Sequence, residues 1–316
     1  MDLKAARALA WPNVGGPALL RLVAFGLILS GGIALALGVS GRFLPHDERY
    51  LGMTAQDLCA LHGCKIVHFM IHDRVSFGGA LIAVGLLYGW LTDGPLKTGQ
   101  AWAWWTLVFS GIVGFASFFA YLGYGYLDTW HGLATLALLP CFVLGMVRAH
   151  ANLPRFDGVR CLKRPAVWSP WLSVAGVGRM SLLTTALGMI FGGLTIMTVG
   201  TTCVFVPQDL AFMDLSVEEM DALNPRLIPL IAHDRAGFGG AVCCAGIALF
   251  FCIWCGEPSR ELWWTLAFAG LAGFGAGVAA HPAVGYNDAL HLAPAVLGAG
   301  GFSLGMVLTF RRAMDT

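Results

Sequence analysis

Apolar residues fall in eight long blocks along the chain, at 19–40, 75–92, 101–122, 129–147, 181–203, 236–254, 262–280 and 289–310. Short polar or Gly/Pro-bearing stretches separate them. Each block is close to the roughly 20 residues that a helix needs to cross the hydrocarbon of a bilayer. The pattern therefore predicts an all-α, polytopic integral membrane protein with eight transmembrane helices.

The blocks repeat. His72-Asp73-Arg74-x-x-Phe77-Gly78-Gly79-Ala80 returns as His233-Asp234-Arg235-x-x-Phe238-Gly239-Gly240-Ala241. Trp104-Trp105-Thr106-Leu107 returns as Trp263-Trp264-Thr265-Leu266, and Gly125-Tyr126-x-Asp128-x-x-His131 as Gly285-Tyr286-x-Asp288-x-x-His291. Leu144-Gly145-Met146-Val147 matches Leu304-Gly305-Met306-Val307, and Pro45 matches Pro207. A fixed period is the signature of duplicated architecture. The expected organisation is a tandem parallel repeat of two four-helix units, 1–150 and 179–316, joined by a basic linker at 151–178. The linker carries Trp168-Ser169-Pro170-Trp171, which suits an interfacial connector.

Between the first and second block of each unit lies a polar stretch with a helix start signal, Thr54-x-x-Asp57 and Ser216-x-x-Glu219. Such a capping box predicts one short amphipathic helix at the membrane interface in each unit, leading into the His-Asp-Arg triplet just ahead of the next span.

Composition agrees with the hydropathy pattern. The chain is 57% hydrophobic and 12% charged over 316 residues, with a net charge of +1. A soluble domain carries about 25% charged residues. The near-neutral balance offers no basic field for nucleic acid. With the N-terminus placed on one side, that side collects 13 of the 19 basic residues, Arg148, Arg160, Lys163, Arg164, Arg311 and Arg312 among them. Lys and Arg concentrate in cytoplasmic loops, so both termini are expected in the cytoplasm of a bacterial-type inner membrane. The expected partners are the lipid bilayer and other subunits of a membrane complex.

Most of the nine cysteines lie in apolar runs and read as small core residues. Cys59 and Cys64 share a polar loop. They suit either a disulfide on an extracytoplasmic surface or two structural thiols.

Three crossings per unit place the His-Asp-Arg triplet and the Gly-Tyr-x-Asp-x-x-His motif at the same, non-cytoplasmic side. The expected outcome is two pseudo-equivalent pockets, one per unit: His72, Asp73, Arg74, Asp128 and His131, and His233, Asp234, Arg235, Asp288 and His291. Asp128 and His131, three apart, share a helix face. Consecutive triplet residues fan out by about 100° each, so one of the three is expected to point away.

Four readings fit these residues. A polar clamp needs no ligand: Asp caps a helix start, Arg74 pairs Asp128, and His72 bonds an Asp. Histidines with one or two Asp form a ligand set for a divalent metal, zinc or iron, with Asp-x-x-His resembling the Glu-x-x-His device of di-metal bundles. Paired histidines, His72 with His131 and His233 with His291, are candidate axial ligands for haem b. Arg74 and Arg235 could instead hold a small anionic solute or lipid headgroup in a transporter-like site. His46, His62 and His68 occur in the first unit only and read as solvated loop residues. The Trp pairs read as interface anchors. No nucleotide loop, nucleophile elbow, HExxH or CxxCH motif is present, so the residues leave open whether the chain is an enzyme or a scaffold subunit.

Overall fold

A computed structural model describes residues 15–119, 125–126, 128–153 and 158–315. Among these residues there are twelve α-helices and no strand. The first half holds α1 (Gly16–Ser40), α2 (Pro45–Leu51), α3 (Ala55–His62), α4 (Lys65–Leu91), α5 (Ala101–Phe119) and α6 (Thr129–Ala151). The second holds α7 (Val174–Thr201), α8 (Pro207–Met213), α9 (Val217–Leu223), α10 (Leu227–Cys255), α11 (Arg260–Val284) and α12 (Ala289–Met314). Eight of the twelve, all but the short α2, α3, α8 and α9, are long and apolar enough to cross a membrane. Apolar side chains such as Phe25, Leu136, Leu271 and Leu297 stand exposed on their outer faces. An exposed apolar surface this extensive marks contact with lipid or with other protein.

Two features differ from the sequence expectation. Each half has two short helices between its first two long ones instead of one. Pro45 and Pro207 open the additional helices, at the position where a missing N–H costs nothing. The capping boxes form as expected at α3 and α9: Thr54 Oγ1 accepts from the Asp57 amide at 3.1 Å, and Ser216 Oγ from the Glu219 amide at 3.2 Å. Backbone amides in turn donate to the Asp57 and Glu219 carboxylates, which holds both below the ordinary carboxylate range.

The second long helix of each half also starts between two and three turns earlier than its apolar block. The His-Asp-Arg triplets are therefore internal to α4 and α10. A run of charge reads as a helix boundary only while its charges are unpaired, and here they are paired and buried.

The helices α4 and α10 form the centre: their most apolar windows are 78% and 67% buried, against 39% or less for the other six. They touch each other, and each has its own first helix beside it, α1 on α4 and α7 on α10. The third long helices are exchanged, with α11 packing on α4 and α5 on α10. The fourth helices complete the periphery, α6 on α1 and α12 on α7 and α11.

Glycines permit these contacts. A Cβ on Gly31 would lie 2.5 Å from the Gly78 carbonyl oxygen, and one on Gly193 2.6 Å from that of Gly239. A Cβ on Gly79 would lie 2.4 Å from the carbonyl oxygen of Ala272 in α11. Where lipid is as apolar as a side chain, close backbone packing is what associates helices. Gly79→Ala is thus expected to cost about 1–3 kcal/mol, as overpacking does, and to lower the thermal midpoint in detergent. Gly192, whose Cβ would meet nothing within 4 Å, is the control and should tolerate alanine.

The linker is fastened to the second half. The guanidinium of Arg179 donates to the carbonyls of Ala166 and Trp254, both at 2.9 Å. It also lies over the rings of Trp168, Trp171 and Trp254. The first Trp of each pair joins two helices. The indole of Trp104 donates to Met146 O at 2.9 Å and that of Trp263 to Met306 O at 3.0 Å, tying the third long helix to the fourth.

Candidate functional site

Because α5 and α11 are exchanged, the polar motifs meet across the halves instead of within them. His131 of the first half contacts His233 of the second, Nδ1 to Nε2, at 3.0 Å. His72 of the first half meets His281 of the second, Nε2 to Nε2, at 3.2 Å, and its ring centroid is 5.6 Å from that of His291. The expected within-unit pocket of His72 and His131 is therefore not formed. The two fall into separate clusters, which also removes them as a pair of axial haem ligands. The ring of His233 lies 4.9 Å from that of His131, and His291 belongs to the other cluster, so the second proposed axial pair is not formed either.

A lattice of buried charge joins the clusters. Arg74 bonds Asp47 Oδ2 at 2.9 Å through Nη1 and Asp234 Oδ2 at 2.8 Å through Nε. Its counterpart Arg235 reaches Asp209 Oδ2 at 2.5 Å through Nη1 and lies with Nε 3.3 Å from Asp73 Oδ2. Each guanidinium thus takes one carboxylate from its own half and one from the other half's triplet. The expected Arg74–Asp128 pair is replaced by these. With both guanidiniums held by carboxylates, a clamp role fits them and capture of an anion does not. All three triplet residues are engaged, because the central helices have neighbours on every side.

Tyrosines from the second motif finish the lattice. Tyr126 donates to Asp47 Oδ1, and Tyr286 to Asp209 Oδ1 at 2.7 Å. Burial first, and the neighbouring carboxylates second, raise the pKa of both phenols, so they stay donors. Asp47 and Asp209 are themselves fixed by the amides of Leu44 and Val206.

The first cluster, Asp128, His131 and His233, has a complete hydrogen-bond solution. The Nδ1–H of His233 donates to Asp234 Oδ1 at 3.1 Å, leaving Nε2 as acceptor. His131 Nδ1 faces both that nitrogen and Asp128 Oδ2, the latter at 3.1 Å, so one proton serves the group. His46 Nε2 lies 3.0 Å from Asp128 Oδ1. Burial works against charge on His46, but the carboxylates of Asp128 and Asp47 outweigh it and raise its pKa. Burial likewise opposes ionisation of Asp128, and His131 and His46 overcome it, holding that carboxyl well below the ordinary range.

The second cluster, His72, His281 and His291, has no such solution. Side-chain atoms of all three lie within 4.8 Å of one another. Nδ1 of His281 bonds the carbonyl of Gly277 at 2.8 Å, and a carbonyl accepts only. Nδ1 of His72 bonds Asp73 Oδ1 at 2.9 Å. Both Nδ1 atoms are donors, so the Nε2 atoms that face each other at 3.2 Å both present lone pairs. A cation between them, a proton or a metal, relieves that repulsion. His291 completes the triangle, with Nδ1 on the side of Asp209 at 3.8 Å.

Asp73 and Asp234 therefore stand behind the imidazoles as hydrogen-bond partners and are not among the converging ligand atoms. Asp288 is exposed and caps α12 by accepting from the His291 amide at 2.8 Å.

Four participants escaped the sequence reading. Asp47 and Asp209 repeat with Pro45 and Pro207, and that repetition was the available signal. His46 looked like a loop residue. His281 had no repeated partner, since Tyr121, outside the described residues, holds its place in the first half.

The arrangement fits a multi-pass helical membrane protein that buries His/Asp clusters between its two halves. Comparison with family models, curated proteins and solved structures returned no match.

Proposed function

We propose that the chain is a duplicated, eight-span membrane protein whose His72–His281–His291 cluster binds one divalent transition-metal ion, zinc or iron. The observation that carries this is the pair of opposed imidazole lone pairs, each fixed by a hydrogen bond on the far nitrogen. An acceptor behind each metal-bound histidine is the usual second shell of such sites and sets the tautomer. Bond lengths of 2.0–2.1 Å put the nitrogens of a tetrahedral zinc about 3.4 Å apart, close to the 3.2 Å between His72 and His281. Charge supports it too. Asp73 and Asp209 outnumber Arg235 by one, and a buried excess of negative charge is costly until a cation offsets it. Three protein ligands leave one position open, as catalytic zinc sites do. The first cluster, closed by its own hydrogen bonds, serves as the structural counterpart.

Metal analysis of purified, folded protein tests this. About one equivalent per chain is expected, lost in His72→Ala and in His281→Ala and retained in His131→Ala. Folded wild-type protein that takes up neither zinc nor iron on reconstitution would refute the assignment.

The clusters lie on the non-cytoplasmic side in this reading, with both termini in the cytoplasm. The bond between Cys59 in α3 and Cys64 at the start of α4 supports that side, since disulfides persist in oxidising compartments. In intact cells a membrane-impermeant maleimide should label these two cysteines only after reduction. Labelling that requires permeabilised cells would reverse the orientation.

A further inference from the structure

The second cluster forms one end of a large apolar groove. The groove has a volume of about 1100 Å³ and is walled by α4, α7, α10, α11 and α12. That slightly exceeds the roughly 300–1,000 Å³ of ordinary small-molecule sites. Along α12 its lining runs from Leu290 and His291 to Leu304, about 21 Å at 1.5 Å per residue. A single hydrocarbon leaflet measures about 15 Å, half the bilayer core. Leu290, Leu297 and Leu304 on its rim are exposed, so the groove opens sideways, toward lipid in the proposed orientation. Gly188, Gly192 and Gly277 line it, and a Cβ on any of them would meet nothing within 4 Å.

The polar end is specific in two ways. Ser76, one turn beyond His72 on α4, is 3% exposed and lines the groove. Its hydroxyl has no hydrogen-bond partner among the described residues, and a buried hydroxyl without a partner is costly. The second is charge. With a divalent ion held by neutral histidines, Asp73, Asp209 and Arg235 leave a net charge of plus one at this end. Asp288, beside it, faces water, where its charge is screened.

We infer that this groove binds a single-chain amphiphile with a carboxylate head, a long-chain fatty acid entering from the bilayer. One carboxylate oxygen takes the open position on the ion, which rests on the metal reading above. The other accepts from Ser76, and the chain lies between α7 and α12. A monoanion brings the buried charge at this end to zero, which a phosphate dianion or a neutral lipid does not.

The test uses the full chain in detergent with a fluorescent conjugated C18 acid, parinaric acid, and its methyl ester. Zinc-loaded and chelator-treated protein are compared, with zinc measured in each. Zinc-loaded protein should bind the acid saturably at about one per chain, at least tenfold tighter than the ester and tenfold tighter than after chelation. Gly192→Phe and Gly188→Leu should each abolish saturable binding at unchanged zinc content, and Ser76→Ala should weaken it several-fold. Non-saturable partitioning that is equal in wild type and both groove-filled variants, in zinc-loaded protein, overturns the groove. Equal affinity for acid and ester overturns the carboxylate head. Protein that takes up no zinc, yet binds the probe saturably in a way the groove-filling variants abolish, refutes the metal reading while supporting the chain site, so the two fail separately.

Discussion

Arg235→Ala is expected to destabilise the folded chain by about 3–5 kcal/mol, the usual cost of removing one partner from a buried ion pair. Arg235 is 5% exposed and its guanidinium stands between Asp73 and Asp209, which come from different halves. Its loss leaves two carboxylates facing each other without a counter-charge and frees the Val204 carbonyl that it holds at 2.6 Å. The measurement is thermal or denaturant unfolding in detergent, followed by tryptophan fluorescence. Arg21 provides the contrast. Its pair with Asp93 is about half exposed on both sides, so Arg21→Ala should cost about 0–1 kcal/mol. Adding Asp209→Asn to Arg235→Ala should recover part of the loss, with a coupling of about 0.5–3 kcal/mol. Strict additivity, or an Arg235→Ala effect no larger than that of Arg21→Ala, would show that the lattice does not hold the halves together.

Chelation is the second large effect. An ion bound only by the folded state stabilises it by about 4 kcal/mol when free metal is near a thousand times the dissociation constant. Stripping the ion should therefore lower the thermal midpoint of wild type and leave His72→Ala and His281→Ala unmoved, since they have nothing to lose. A midpoint in wild type that ignores chelator would remove the metal from the stability of this protein, and equal shifts in all three would place the ion elsewhere.

Much of the architecture was legible in the order of residues. Eight apolar blocks announced eight long helices, and Thr54-x-x-Asp57 and Ser216-x-x-Glu219 announced where α3 and α9 start. The partners of the third long helices were not legible. A repeat period says which segments correspond, but Gly79 packs equally well by sequence on α5 or on α11, and only its fit against Ala272 decides. The site suffered from the same gap. His72, His131, His233 and His291 were all expected in polar pockets, yet their pairing depends on that exchange. The early starts of α4 and α10 were hidden because His72-Asp73-Arg74 looks too polar for a helix interior until Asp47 and Asp234 supply its counter-charges. His281 was hidden for a different reason: attention to what repeats passes over what does not, and the second cluster owes its third imidazole to a difference between the halves.

The exchange of helices also sets an order of maturation during synthesis. The first cluster needs nothing beyond Asp234, so it can close while α11 and α12 are still being made. The second waits until the ribosome has passed His291, and until then His72 is present without its two partner imidazoles. The newborn chain thus carries one unpartnered imidazole while its last two long helices are being made, and capture of the proposed metal becomes a late event.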